Sequence, residues 1–95
     1  MPAAARKTDP DDSDGMVNGD VASTVFINGL PAAMLGSLDV DHAPYGPPHP
    51  PHVPNPIVAA SGTVFIEGRP AARAGDPFQC GHVVAAGSPD VSIGG

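Results

Sequence analysis

Two stretches of this 95-residue chain are near copies of one another. TVFINGLPAAMLGS begins at Thr24 and TVFIEGRPAARAGD at Thr63, and nine of the fourteen aligned positions are identical without a gap. Two segments this alike adopt the same local structure, so the fold must be one that sets like units side by side. Glycine and proline reach the share at which chains become low-complexity or disordered, with twelve and thirteen copies. A disordered chain has no reason to keep Val-Phe-Ile in a fixed frame, so the repeat argues for order.

The repeated unit reads as strand, turn, strand, loop. Pro and Gly interrupt almost every window long enough for a helix. The longest clean segment, residues 20–28, is rich in β-branched residues and reads as a strand. A Val-x-Ile frame occurs three times, at Val25-Phe26-Ile27, Val64-Phe65-Ile66 and Val91-Ser92-Ile93, each followed closely by glycine. Period-two alternation assigns Val25, Ile27, Val64, Ile66, Val91 and Ile93 to the core. Phe26 and Phe65 fall on the opposite face, where they cover a second layer or a partner. Asn28-Gly29 is a hairpin signal, and Gly68 suits a second tight turn. Glu67, the one glutamate, reads as an exposed strand residue.

A Pro-Ala-Ala element also recurs three times, as Ala3-Ala4-Ala5-Arg6, Pro31-Ala32-Ala33-Met34 and Pro70-Ala71-Ala72-Arg73. Its small alanines permit close backbone approach. Asp9, Ser37 and Asp76 each stand three residues beyond it. The sequence therefore predicts an all-β fold of short hairpins, run nearly three times, with no substantial helix.

Three loops follow equivalent points of the cycle. The first, residues 10–19, is acidic and reads as a solvated loop. The second, residues 38–56, carries His42, His49 and His52 among seven prolines. The third, residues 77–82, carries Cys80 and His82. In a cyclic arrangement equivalent loops share one end of the molecule, so these five side chains are expected to gather there. Zinc accepts mixed His and Cys sets of four. The spacing lacks the paired motifs of a zinc finger. His49, in Pro-Pro-His-Pro-Pro-His, also fits an exposed polyproline residue, and Cys80 an inert thiol.

Size and charge narrow the functions. A chain this short has a thin core and needs a staple. One cysteine excludes an intramolecular disulfide, which leaves a metal or a partner. The formal net charge is −6 with four basic residues, so no basic face exists for nucleic acid or for an anionic membrane. The N-terminus lacks the apolar stretch of a secretory signal. No run approaches a membrane span.

Pro70-Ala71-Ala72-Arg73 followed by Gly75-Asp76 resembles the signature of the PAAR-repeat family. Ala4-Ala5-Arg6 with Thr8-Asp9 is similar to its opening copy, Pro51-His52-Val53 with Pro56-Ile57 to its proline–histidine segment, and Gly87-Ser88-Pro89-Asp90-Val91 to its last strand entry. The resemblance covers essentially the whole chain, 1–95, as a single domain. It implies a small conical fold of β-hairpins with pseudo-threefold internal repeats. The base would sit on a trimeric spike, the valine-glycine repeat protein G of type VI secretion systems or a phage tail spike. A zinc ion, with iron as the alternative, would lie near the point.

The ligand set that follows is His42, His52, Cys80 and His82, with His49 in reserve and Asp14 a third choice. Asp14 stands near the place where the family often has a first-loop histidine. The second copy departs from the pattern, with Met34 for arginine and Ser37 for aspartate. The resemblance implies a monomeric structural protein that aids membrane puncture and effector delivery. It would reside in the bacterial cytoplasm and then leave by the type VI apparatus without a signal peptide. Its contact with the target membrane would be transient, and effector cargo would bind separately, since the chain ends at Gly95, directly after the third strand. A zinc hydrolase is the competing reading. It needs an open metal position and a general base, and no H-E-x-x-H motif is present.

Overall fold

The computed structural model describes residues 2–12, 15–40 and 55–94. Its strands are β1 (Met16–Gly19), β2 (Phe26–Ile27), β3 (Leu30–Pro31), β4 (Leu38–Val40), β5 (Phe65–Ile66) and β6 (Arg69–Pro70), and the described residues contain no helix. β2 pairs with β3 and β5 with β6, each antiparallel and in the same register. Both turns are two residues with positive φ at each position, Asn28 (55°) and Gly29 (80°), Glu67 (52°) and Gly68 (81°). That is the turn whose twist matches paired strands.

The third hairpin is made by the two ends of the described chain. Ala3 pairs with Ser92, and the Ile93 N–H donates to the Pro2 carbonyl. Ala4 N–H donates to Val91 O, Ala32 to Val25 and Ala71 to Val64, all at 2.9 Å. The three Pro-Ala-Ala elements then meet at the centre. Ala5 N–H donates to Ala72 O (3.0 Å), Ala72 to Ala33 (3.1 Å) and Ala33 back to Ala5 (3.0 Å), which closes a ring. All six alanines of these pairs have no exposed surface. Backbones approach this closely only because the side chain is a methyl group.

Successive alanines face opposite ways and divide the core into two layers. Ala4, Ala32 and Ala71 pack with Ile27, Ile66, Ile93 and Met34 on the hairpin side. Ala5, Ala33 and Ala72 pack with Val17, Ile57, Val84 and Phe78 on the loop side. The isoleucines are core residues as predicted. Val64 and Val91 are not: they are 38% and 37% exposed, and Val25 is half-buried. Three isoleucines and Met34 fill the narrow hairpin-side layer and leave the valines at its margin.

After each Pro-Ala-Ala element the chain turns on an i to i+3 bond. Arg6 O accepts from Asp9 N–H, Met34 O from Ser37, and Arg73 O from Asp76. The side chain at the fourth position caps the same turn, by Asp9 Oδ2 on Arg6 N–H (2.7 Å), Ser37 Oγ on Met34 N–H (3.0 Å) and Asp76 Oδ2 on Arg73 N–H (2.7 Å). In the first and third copies the carboxylate also holds the arginine through two guanidinium nitrogens. The departures Met34 and Ser37 belong together. Met34 folds into the core, and an aspartate opposite it would be a buried charge without its cation. A neutral hydroxyl keeps the cap.

The acidic first loop differs from its prediction. Met16–Gly19 is a strand, paired with Leu38–Val40 and bulged at Asn18. Asp9 and Asp11 are buried rather than solvated. Asp9 holds Arg6, and Asp11 Oδ1 accepts the Gly15 N–H. Of residues 20–28 only Phe26–Ile27 pairs as strand; the stretch before it has no partner strand.

Candidate functional site

The loop end is built by the same threefold logic. The outgoing arm of each loop pairs with the returning arm of a neighbour. β4 pairs with β1, Phe78 with Ile57, and Asp11 with Val84. Val17, Ile57 and Val84 stand at equivalent places, each donating its N–H to the capping residue, Asp9, Ser37 or Asp76. Two residues before them lie Gly15, Asn55 and His82. The side chains brought to this end are therefore fixed by backbone pairing, not by loop propensity.

Cys80 sits at the tip of the third loop. Phe78 N–H donates to His82 O (2.7 Å) and Gly81 N–H to Phe78 O (3.0 Å), and Gly81 takes φ 100°. The cysteine is half-buried against the loop-side core. Its backbone N–H donates to Asn55 Oδ1 (3.0 Å), and Asn55 Nδ2 donates to its sulfur (3.1 Å) and to Asp39 Oδ2 (3.3 Å). His82 Nδ1 lies 2.9 Å from Asp12 Oδ1, which also accepts the Val83 N–H (3.1 Å). A carboxylate is only an acceptor, so Nδ1 is the donor in this contact.

Cys80 and His82 are side chains of the kind that soft or borderline metals take as ligands. A thiol and an imidazole lie two residues apart, and the imidazole is oriented by a carboxylate as metal-bound histidines commonly are. The other predicted ligands, His42 and His52, with His49 and Asp14, lie outside the described residues. Among the described residues, no group of three or more His, Cys, Asp or Glu side chains could hold an ion. The structure thus describes Cys80 and His82, on one short loop, each with its own partner. Asn55 and Asp12 went unread in the sequence, because their contacts span 25 and 70 residues.

Glu67 is the other residue the sequence misread. It is a turn residue, and its carboxylate accepts the N–H groups of Ser23 (3.0 Å) and Thr24 (2.8 Å) and both hydroxyls. These bonds hold its pKa below the ordinary value, with the Thr24 hydroxyl the largest influence. At the hairpin end Phe26 and Phe65 are 57% and 59% exposed, at equivalent positions on two hairpins, while the third hairpin has Ser92 there.

Residues 46–95 match the family model of the PAAR motif. Over 72 residues, 74% of its length, the chain is 39% identical to the double-stranded DNA deaminase toxin A of Burkholderia cenocepacia (strain H111). It spans only 5% of the length of that relative. With three Pro-Ala-Ala elements closed into a ring, and this family's motif matched over more than half its length, the chain belongs to the PAAR-motif family.

Proposed function

We propose that the protein is a structural tip. Its hairpin end caps the trimeric valine-glycine repeat protein G spike of a type VI secretion system, and its loop end holds a metal ion, zinc by preference. The observation that carries this reading is the closed ring of Ala5, Ala33 and Ala72. One chain thereby presents three like units around an axis, the symmetry that the end of a trimer requires. Such a trimer ends in unpaired strand edges that need a cover. Two exposed phenylalanines on equivalent hairpins supply apolar contact for it.

The metal at the other end would be held by Cys80 and His82 with His42 and His52. His42 and His52 fall between Asp39 and Asn55 in sequence; the Asp39 N–H donates to Asn55 O (3.0 Å), and Asn55 is bonded to Cys80. A bound ion would supply folding energy to a thin core. The role is mechanical rather than catalytic. The likeness to a small part of a toxin supports delivery, with effectors joined to or carried by such a tip, and with export by the secretion apparatus.

Binding to the spike tests this reading. The purified protein is expected to form a complex of one chain with one spike trimer. Phe26→Asp and Phe65→Asp should weaken it at least tenfold while the protein stays folded. No complex with any valine-glycine repeat protein G trimer of its source organism, or a complex indifferent to both substitutions, would overturn the docking face.

A further inference from the structure

We infer that Asn55 is the positioning residue for Cys80: its side-chain amide grips the backbone N–H and the sulfur together and so sets the direction in which the sulfur is presented to a metal. The inference rests on the metal-bound tip proposed above.

Asn55 is 2% exposed, and its amide orientation follows from its neighbours. Its oxygen must face a donor, and the Cys80 N–H is there at 3.0 Å. Its nitrogen then faces two acceptors, Cys80 Sγ at 3.1 Å and Asp39 Oδ2 at 3.3 Å. The cysteine is gripped at backbone and sulfur at once, which fixes the direction of its side chain. The backbone of Asn55 is itself pinned. Pro56 follows it and favours an extended conformation, and its carbonyl accepts the Asp39 N–H.

A sulfur held in a fixed direction is already oriented for a metal, which is how outer-shell partners act on ligands. Its place in the repeat agrees. Asn55 is the second-loop equivalent of His82, so an amide occupies the level at which the third loop offers an imidazole.

Cobalt(II) reports the contact directly, because a thiolate bound to cobalt gives a near-ultraviolet charge-transfer band. The full chain is expected to show this band and the Cys80→Ser variant to lack it. Asn55→Ala should bind cobalt about 10–100-fold more weakly, with the band shifted. A folded Asn55→Ala variant with the parent's affinity and band would overturn the role of Asn55 and leave the metal reading standing. A parent without any band would remove the metal reading and this inference together. Should Asn55→Ala fail to fold, the unmodified protein decides. On zinc binding the Asn55 side-chain amide protons should shift in the NMR spectrum more than those of Asn28 on the hairpin turn. Unmoved Asn55 signals would refute the bond to sulfur.

Discussion

Single residues in this fold are judged by their equivalents in the other repeats. Thr8, Gly36 and Gly75 occupy one position, and all have positive φ: 75°, 92° and 95°. Glycine accepts that conformation without cost, whereas a β-branched residue is an outlier there. The left-handed region costs an ordinary side chain about 1–2 kcal/mol, and glycine's extra chain entropy offsets part of any gain. Thr8→Gly is therefore expected to stabilise the protein by about 0.5–1 kcal/mol in urea unfolding; a loss of stability would mean that exposed Thr8 makes a contact worth more than its strain. Glu67 carries a pH signature. Its folded pKa is lowered from the ordinary 4.5 by the Ser23 and Thr24 donors. A depressed carboxylate contributes stability in full above its unfolded value, and that contribution fades as pH falls through the folded value. Glu67→Gln should thus melt lower than the parent at pH 7, with the gap constant down to about pH 5 and closing below 4.5. A gap of unchanged size at pH 3 would show that the carboxylate's charge is not what Ser23 and Thr24 recognise.

Elements were legible where their cause is local. Asn28-Gly29 and the Val-Phe-Ile frame specify a hairpin within six residues, and both copies form it in one register. The Pro-Ala-Ala spacing disclosed close approach, which the alanine ring realises. What escaped depends on distant partners. No neighbour of Glu67 in sequence announces Ser23 and Thr24, 43–44 residues away, and alternation could not tell that a layer filled by isoleucine leaves Val64 and Val91 outside. At the loop end Cys80 and His82 stood out by chemistry, while Asn55 and Asp12 had no signal of their own. The seam where the two chain ends complete the third hairpin is the element most exposed to insult. A Cβ on Gly87 would lie 2.4 Å from the Ala4 carbonyl oxygen, a backbone atom that cannot swing aside. The Ser88 N–H donates to that same oxygen (2.8 Å). Gly87→Ala should therefore cost about 1–3 kcal/mol, as overpacking does, and should open the seam first, seen as faster amide exchange at Ala4 and Ile93. Unchanged exchange at those two residues would mean that the seam shifts without loss.

At the scale of the molecule, one long and two nearly equal short dimensions, 39 × 23 × 21 Å, suit a body repeated about its long axis. The ring of Ala5, Ala33 and Ala72 crosses that body between two thin apolar layers. Methyl groups contribute little burial, so the ring fixes geometry more than it supplies stability. On the proposed reading the stability missing at the loop end comes from the ion, and removing it is the most direct measurement. An ion held at a hundred times its dissociation constant stabilises a fold by about 2.7 kcal/mol. For a domain of this size each kcal/mol moves the melting temperature by about 4–8 °C. A chelator should lower the melting temperature of the parent by about 10–20 °C, and zinc should restore it. Cys80→Ser should start near the chelated value and respond to neither reagent. The decisive quantity is the response, not the starting point, because any core substitution can lower a melting temperature. A parent indifferent to chelation, with no zinc or iron by elemental analysis, would leave the two apolar layers and the alanine ring to hold the tip unaided.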